Sequence, residues 1–179
     1  MRTFIKQFLV GFTIILLSFS ANAEDKSILV EDASAALQSL YKNVPESVSL
    51  SNKAAAILVF PKIVRAGFIA GGSGGEGVLF KKGKARGYYS SGSISVGLQA
   101  GVQSFGYAVF FMTERELKAF EKSNGWDIGA APTVVVIDTG AAKEFNTTTA
   151  AKEVYAFVFD QSGLMAGMAL QGQKISKIK

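Results

Sequence analysis

Residues 93–112 restrict this chain more than any other stretch. In Ser93 to Gln103, Ile94, Val96, Leu98, Ala100 and Val102 alternate with Ser93, Ser95, Gly97, Gln99, Gly101 and Gln103. A period of two puts each set on its own face of an extended chain, whereas a helix would scatter both around its axis. From Ser104 to Met112 both faces are apolar: Phe105, Tyr107, Val109 and Phe111 on one, Ala108, Phe110 and Met112 on the other. A strand of that kind needs cover on both sides and belongs inside the domain. The apolar parity switches between Val102 and Phe105, which predicts a bend or bulge near Gln103–Ser104.

What the chain lacks is as informative. It contains no histidine and no cysteine. The commonest general base, the commonest metal ligand and the thiol nucleophile are therefore missing. An enzyme would have to rely on carboxylates, Ser, Lys or Tyr, and among carboxylates such as Glu76, Asp127, Asp138 or Asp160 no spacing suggests a pair on one face. The expectation is a non-catalytic protein without metal or cofactor.

The N-terminus has the pattern of a secretory signal. Arg2 and Lys6 form a basic region, Phe8 to Leu17 an apolar one, and Ala21-Asn22-Ala23 a small-x-small cleavage site. The apolar part is short of the ~20 residues of a membrane span, although an uncleaved anchor is the alternative. Residues 1–23 are read as a signal peptide of bacterial type and 24–179 as one periplasmic domain. Cleavage leaves 156 residues and lowers the formal charge from +5 to +3. That balance tolerates an anionic surface and does not suit a nucleic-acid binder.

Helical periodicity runs from Lys26 to Val44 and ends at Pro45. A short helix fits 45–53. Thr113 with Glu116 has the spacing of a capping box, opening a helix over 113–122 with Leu117 and Phe120 as its apolar stripe. Strands are expected in the second half of Ala54–Phe60, closed by Pro61, and at 66–71, 77–81, 87–91, 133–138 and 153–160. The segment 143–152 reads as a loop or edge segment, and 174–179 as a basic tail. The pattern predicts an α+β fold: a strongly curved, mostly antiparallel sheet or barrel, with the N-terminal and mid-chain helices packed on it.

Gly71 to Gly77 reads as a flexible or tightly bent hairpin connection. Gly72, Gly74 and Gly77 fit G-x-G-x-x-G. The residues that follow, Val78-Leu-Phe, read as strand, whereas a nucleotide site needs a helix there. Lys81-Lys-Gly-Lys-Ala-Arg86 is a basic turn. With Lys62 and Arg65 it is a candidate patch for anionic lipid, the alternative being a solvated loop.

Taken in order, Pro61 with Ala66-Gly-Phe-Ile-Ala-Gly-Gly72, Gly75-Glu-Gly-Val-Leu79, Gly97-Leu-Gln-Ala-Gly-Val-Gln103, Gly129-Ala130 and Gly163-Leu-Met-Ala-Gly-Met-Ala-Leu-Gln171 resemble the SYLF domain. The resemblance runs from about Val44 to Ile178. That domain occurs in yeast actin-patch regulators, in eukaryotic FYVE- and SH3-containing proteins and in secreted bacterial proteins. It implies a non-enzymatic lipid-binding module. Eukaryotic members bind phosphoinositides with help from a basic amphipathic N-terminal region, and actin bundling is attributed to fungal members. This chain departs in its non-basic N-terminal helix and in Phe105, where many members carry an acidic residue. A periplasmic member is expected to meet an anionic phospholipid or membrane surface. Lys62, Arg65, Lys81, Lys82, Lys84 and Arg86 would face phosphate groups, and Gln99 and Gln103 would orient a headgroup from the face opposite the apolar one. For the two glutamines, bonding to neighbouring backbone is the alternative. For the whole protein it is an interaction module of the cell envelope, with exposed edge strands and the 140–152 loop meeting partner proteins.

Overall fold

The computed structural model describes residues 21–67, 70–96, 101–123, 125–128, 134–138, 152–162, 170 and 172–178. Their secondary structure is α1 (Ala21–Asn43), α2 (Pro45–Ser51), β1 (Ala56–Gly67), β2 (Ala70–Lys81), β3 (Lys84–Val96), β4 (Gly101–Phe111), α3 (Glu114–Lys122), β5 (Trp126–Asp127), β6 (Val134–Asp138), β7 (Val154–Ser162) and β8 (Lys174–Lys177). The strands form one curled sheet in the order β5-β8-β3-β2-β1-β4-β7-β6. Every pairing is antiparallel except β6 with β7. The α+β expectation holds, and among the described residues the sheet stays open at β5 and β6 rather than closing as a barrel.

The two-sided apolar pattern of β4 positions the whole body. Tyr107, Val109 and Phe111 enter a core with Leu58, Phe60, Ile63, Val158 and, from α3, Leu117 and Phe120. Ala108 and Phe110 enter a second core on the other face, with Ile57, Val59, Val78, Phe157 and, from α1, Ala33 and Leu40. One sheet thus sits between two layers: α1 and α2 on one side, α3 on the other. Pro45 opens α2 at a position where its missing N–H costs nothing. Thr113 caps α3, its Oγ1 accepting from the Glu116 N–H at 3.3 Å. The Glu116 carboxylate turns instead to Arg115 Nε, also at 3.3 Å.

Several boundaries differ from expectation. The stretch 93–112 is two strands: β3 ends at Val96 and β4 begins at Gly101. β1 does not stop at Pro61 but runs on to Gly67. The glycines at 71–77 are strand, inside β2, rather than a hairpin connection. The basic tail contributes β8, which pairs with both β3 and β5.

The bend expected at Gln103–Ser104 lies at Gly106, and the extra residues sit in the neighbouring strands. β1 carries one more residue than β4 between Phe60 and Ile63, so Pro61 and Lys62 together oppose Gly106. β7 likewise carries one more between Phe159 and Ser162, where Asp160 takes a positive φ of 51°. A proline is tolerated in β1 because a bulge removes the ladder bond it cannot make. A Cβ on Gly106 would approach Pro61 O to 2.9 Å, and one on Gly77 would approach Val59 O to 2.6 Å. Bulges increase local twist and bend. Aligned beside glycines that let backbone approach, these two form a crease across β2, β1, β4 and β7.

Candidate functional site

Beyond the crease, β4, β1, β2 and β3 continue as a four-stranded end whose two faces differ in chemistry. On the face shared with α1, the register aligns Val102 with Ala66, Ala66 with Gly72, and Gly72 with Ile94. α1 does not reach this row: Ile94 is 89% exposed, Val102 75% and neighbouring Val64 42%. Isolated exposed aliphatics are ordinary, but a contiguous row on adjacent strands is not. The sequence adds that no charged residue occurs at 66–75 or at 87–113.

The opposite face of the same four strands is polar. There the register aligns Gln103 with Arg65, Arg65 with Ser73, and Ser73 with Ser93. The Arg65 guanidinium carbon lies 5.7 Å from the centroid of Phe105, a cation–π distance. Ser73 and Ser93 hydroxyls are 2.7 Å apart. Gln173, fully buried just before β8, donates from Nε2 to Ser73 at 2.5 Å and to Ser93 at 3.4 Å. Its Oε1 accepts from Ser91 Oγ at 3.0 Å, and Ser91 accepts from the Tyr107 hydroxyl at 2.6 Å. Burial pushes the Tyr107 phenol far above its ordinary pKa, only partly offset by the Ser91 bond. Tyr107 is therefore a fixed donor at any ordinary pH.

The structure divides the expected lipid-contacting residues. Arg65 and Gln103 are direct cross-strand partners, and Gln103 lies on the face opposite Val102, as the alternation implies. Lys62 is exposed at the bulge of β1. Lys81, Lys82, Lys84 and Arg86 gather at the β2–β3 turn, about six residues of strand away, roughly 20 Å. Of these, Lys81 is held by Glu114 at 2.8 Å across to α3. The six basic residues thus form two groups rather than one patch. Gln99 lies outside the described residues, as do residues 1–20, where the signal was expected, and most of the 140–152 segment. The candidate carboxylates are dispersed: Asp127 is in β5 and Asp138 in β6, at opposite edges of the sheet, while Glu76 is in β2.

Sequence reading missed Ser73, Ser91, Ser93, Tyr107 and Gln173 as a set. The alternation Ser91-Gly-Ser93 hinted at a polar strand face. Nothing local marks Gln173, which joins the others only through the fold. A cleft of about 130 Å³ lined by Lys26, Leu29, Glu76, Tyr88 and Ile178 lies where α1 meets the sheet. It is well below the ~300–1,000 Å³ of usual ligand pockets. No described helix is long and apolar enough to cross a membrane.

Residues 92–179, about half of the chain, match the family model described as Ysc84, Las17-binding protein actin regulator. The chain belongs to the SYLF family. A search of curated proteins returns no significant match. The matched part contains Ser93, Gln103, Tyr107 and Gln173; Arg65 and Ser73 precede it.

Proposed function

We propose that this SYLF-family chain is a non-enzymatic, periplasmic lipid-binding protein that lays the bare end of its sheet on an anionic membrane surface. The observation that carries this reading is the exposed row Val102–Ala66–Gly72–Ile94 on an uncharged part of the chain. Four strands about 4.8 Å apart and five residues long present roughly 300 Å². Two copies meeting face to face would bury about 600 Å², below the ~1,200 Å² of stable protein interfaces. A bilayer sets no such threshold, because each aliphatic side chain gains by leaving water. Lys62, exposed at the bulge of β1 next to this end, supplies attraction of about 1 kcal/mol near an anionic surface. The turn group of Lys82, Lys84 and Arg86 is too distant to meet the same headgroups and serves as a second contact. The signal pattern of residues 1–23 supports the location, and the mass of the exported protein tests it: cleavage after Ala23 begins the chain at Glu24.

Co-sedimentation with vesicles tests the binding. Wild type is expected to pellet with phosphatidylglycerol vesicles more than with phosphatidylcholine, and less as salt rises. The pair Ile94→Ser and Val102→Ser should lower binding at least about tenfold with the fold intact, from the lost transfer energy of two side chains. Unchanged pelleting of that variant would remove the bare face from the mechanism. Equal pelleting with both vesicle types would remove the headgroup preference.

A further inference from the structure

We propose that the polar face of the bare end is a binding site for an anionic oxygen group, a phosphate or a carboxylate, held by Arg65 and the Ser73–Ser93 pair. The argument is a count of protons. Tyr107 donates to Ser91, Ser91 donates to Gln173 Oε1, and Gln173 Nε2 donates to the serine pair. Each donor in this chain has its direction set by the one before it. Ser73 and Ser93 then hold two hydroxyl protons between them. One makes the 2.7 Å bond that joins the pair. The other has no acceptor among the hydrogen bonds of the described residues. Both serines are only part-buried, so the chain runs from a sealed phenol to a hydroxyl donor at an accessible surface.

A chain polarised in this way ends in a hydroxyl donor, so it favours ligands rich in acceptors. The adjacent residue in register with Ser73 is Arg65, whose planar fork of donors suits phosphate and carboxylate oxygens. Its ring contact with Phe105 limits where the guanidinium can go. Gln103, beyond Arg65 in the same row, adds an amide. Positive charge, a hydroxyl donor and an amide on three adjacent strands make an anion site without any helix terminus or metal.

This site lies on the opposite face from the apolar row, so it stands or falls separately from membrane docking. The test is titration by NMR of the intact protein with two probes: inorganic phosphate, and a short-chain phosphatidylglycerol below its micelle concentration. Saturable shifts at Ser73, Ser93 and Arg65 are expected with at least one probe. Response to both assigns the site to the anion itself, and response to the lipid alone assigns it to a headgroup. Arg65→Gln should weaken binding about tenfold or more, with Arg65→Lys recovering part of the loss. The double change Ser73→Ala and Ser93→Ala should abolish the hydroxyl contribution. Because it also strands the Gln173 amide and can cost folding, Arg65→Gln, which leaves the hydrogen-bond chain whole, is the deciding variant. Ile94→Ser with Val102→Ser should leave phosphate binding unchanged. Absence of saturable binding to either probe, or affinity untouched by Arg65→Gln, would overturn the proposal.

Discussion

The two ends of one sheet follow different rules. On one side of the crease at Gly106, strands β1, β4 and β7 are packed on both faces, and Leu58, Tyr107, Phe110 and Phe157 are wholly buried. On the other side the same β1 and β4, joined by β2 and β3, carry Ile94 and Val102 into solvent. Both ends carry aliphatic residues on the face toward α1. What separates them is cover: α1, α2 and α3 lie against the first and do not reach the second. Apolar residues in the body therefore act on stability, and those at the bare end act on whatever the end meets.

The largest expected effect sets these two against each other. Phe110→Ala empties a site filled against Phe157, whose ring lies 5.1 Å away, and should cost about 3–5 kcal/mol. Ile94→Ser removes a side chain of similar hydrophobicity and should change stability within about 0.5 kcal/mol. Urea denaturation of the two variants checks the contrast. A comparable loss from Ile94→Ser would mean that the bare end is packed in solution.

The glycines sharpen the comparison, because one substitution should have opposite signs at the two ends. In β2, a methyl group at Gly77 meets the Val59 carbonyl and the Phe60 ring, each at 2.6 Å, beside the crease. Gly77→Ala should destabilise by about 1–3 kcal/mol. Three residues earlier, a methyl at Gly74 finds nothing closer than 3.9 Å. Gly74→Ala should be neutral or stabilising by up to about 1 kcal/mol, because it restricts the unfolded chain. Thermal midpoints would show the sign, and a destabilising Gly74→Ala would break the division at the crease.

This contrast also marks how far the sequence could be read. The cover on both faces of residues 105–111 was legible, because two apolar parities in one strand leave no polar face for water. Leu117 and Phe120 were legible as the buried stripe of α3 for the same kind of reason. The crease was half legible: the parity switch signalled an irregularity, but the residues producing it are Pro61, Lys62 and Asp160, on strands that only the fold brings beside Gly106. Glycines 71–77 were misread because glycine is common to turns and to strands under close backbone approach, and local sequence does not separate these. The paired rows of the candidate site needed register. Ile94 and Val102 were read on one face of one strand, and they share a face across four strands. Gln173 was invisible, since its role depends on partners roughly 80 to 100 residues earlier.

Tyr107 links the two ends, and pH offers a way to weigh that link. Its folded pKa is raised by burial, so its contribution is complete below the unfolded value of ~10 and is lost as pH rises above it. Between pH 10 and 11 wild type should lose about 1 kcal/mol more than Tyr107→Phe does. Denaturation curves at pH 8, 10 and 11 measure this, with Tyr107→Phe about 1 kcal/mol less stable at pH 8 from the missing hydrogen bond. Parallel losses in both proteins would show that the phenol is not sealed in the body.

The smallest effect belongs to a contact that lies on the packed body but in water. The hydrogen bond from Lys81 holds the Glu114 carboxyl below its ordinary pKa. A depressed carboxyl contributes above its unfolded pKa and loses that contribution as pH falls through the folded one. Lys81→Gln should therefore lower the melting temperature slightly at pH 7 and low salt, and not at all at pH 3 or in high salt. A difference that persisted at pH 3 would mean that Lys81 acts through the packing of its stem. If it vanishes, residence on the body confers little by itself, and the distinction between the two ends reduces to the removal of side chains from water.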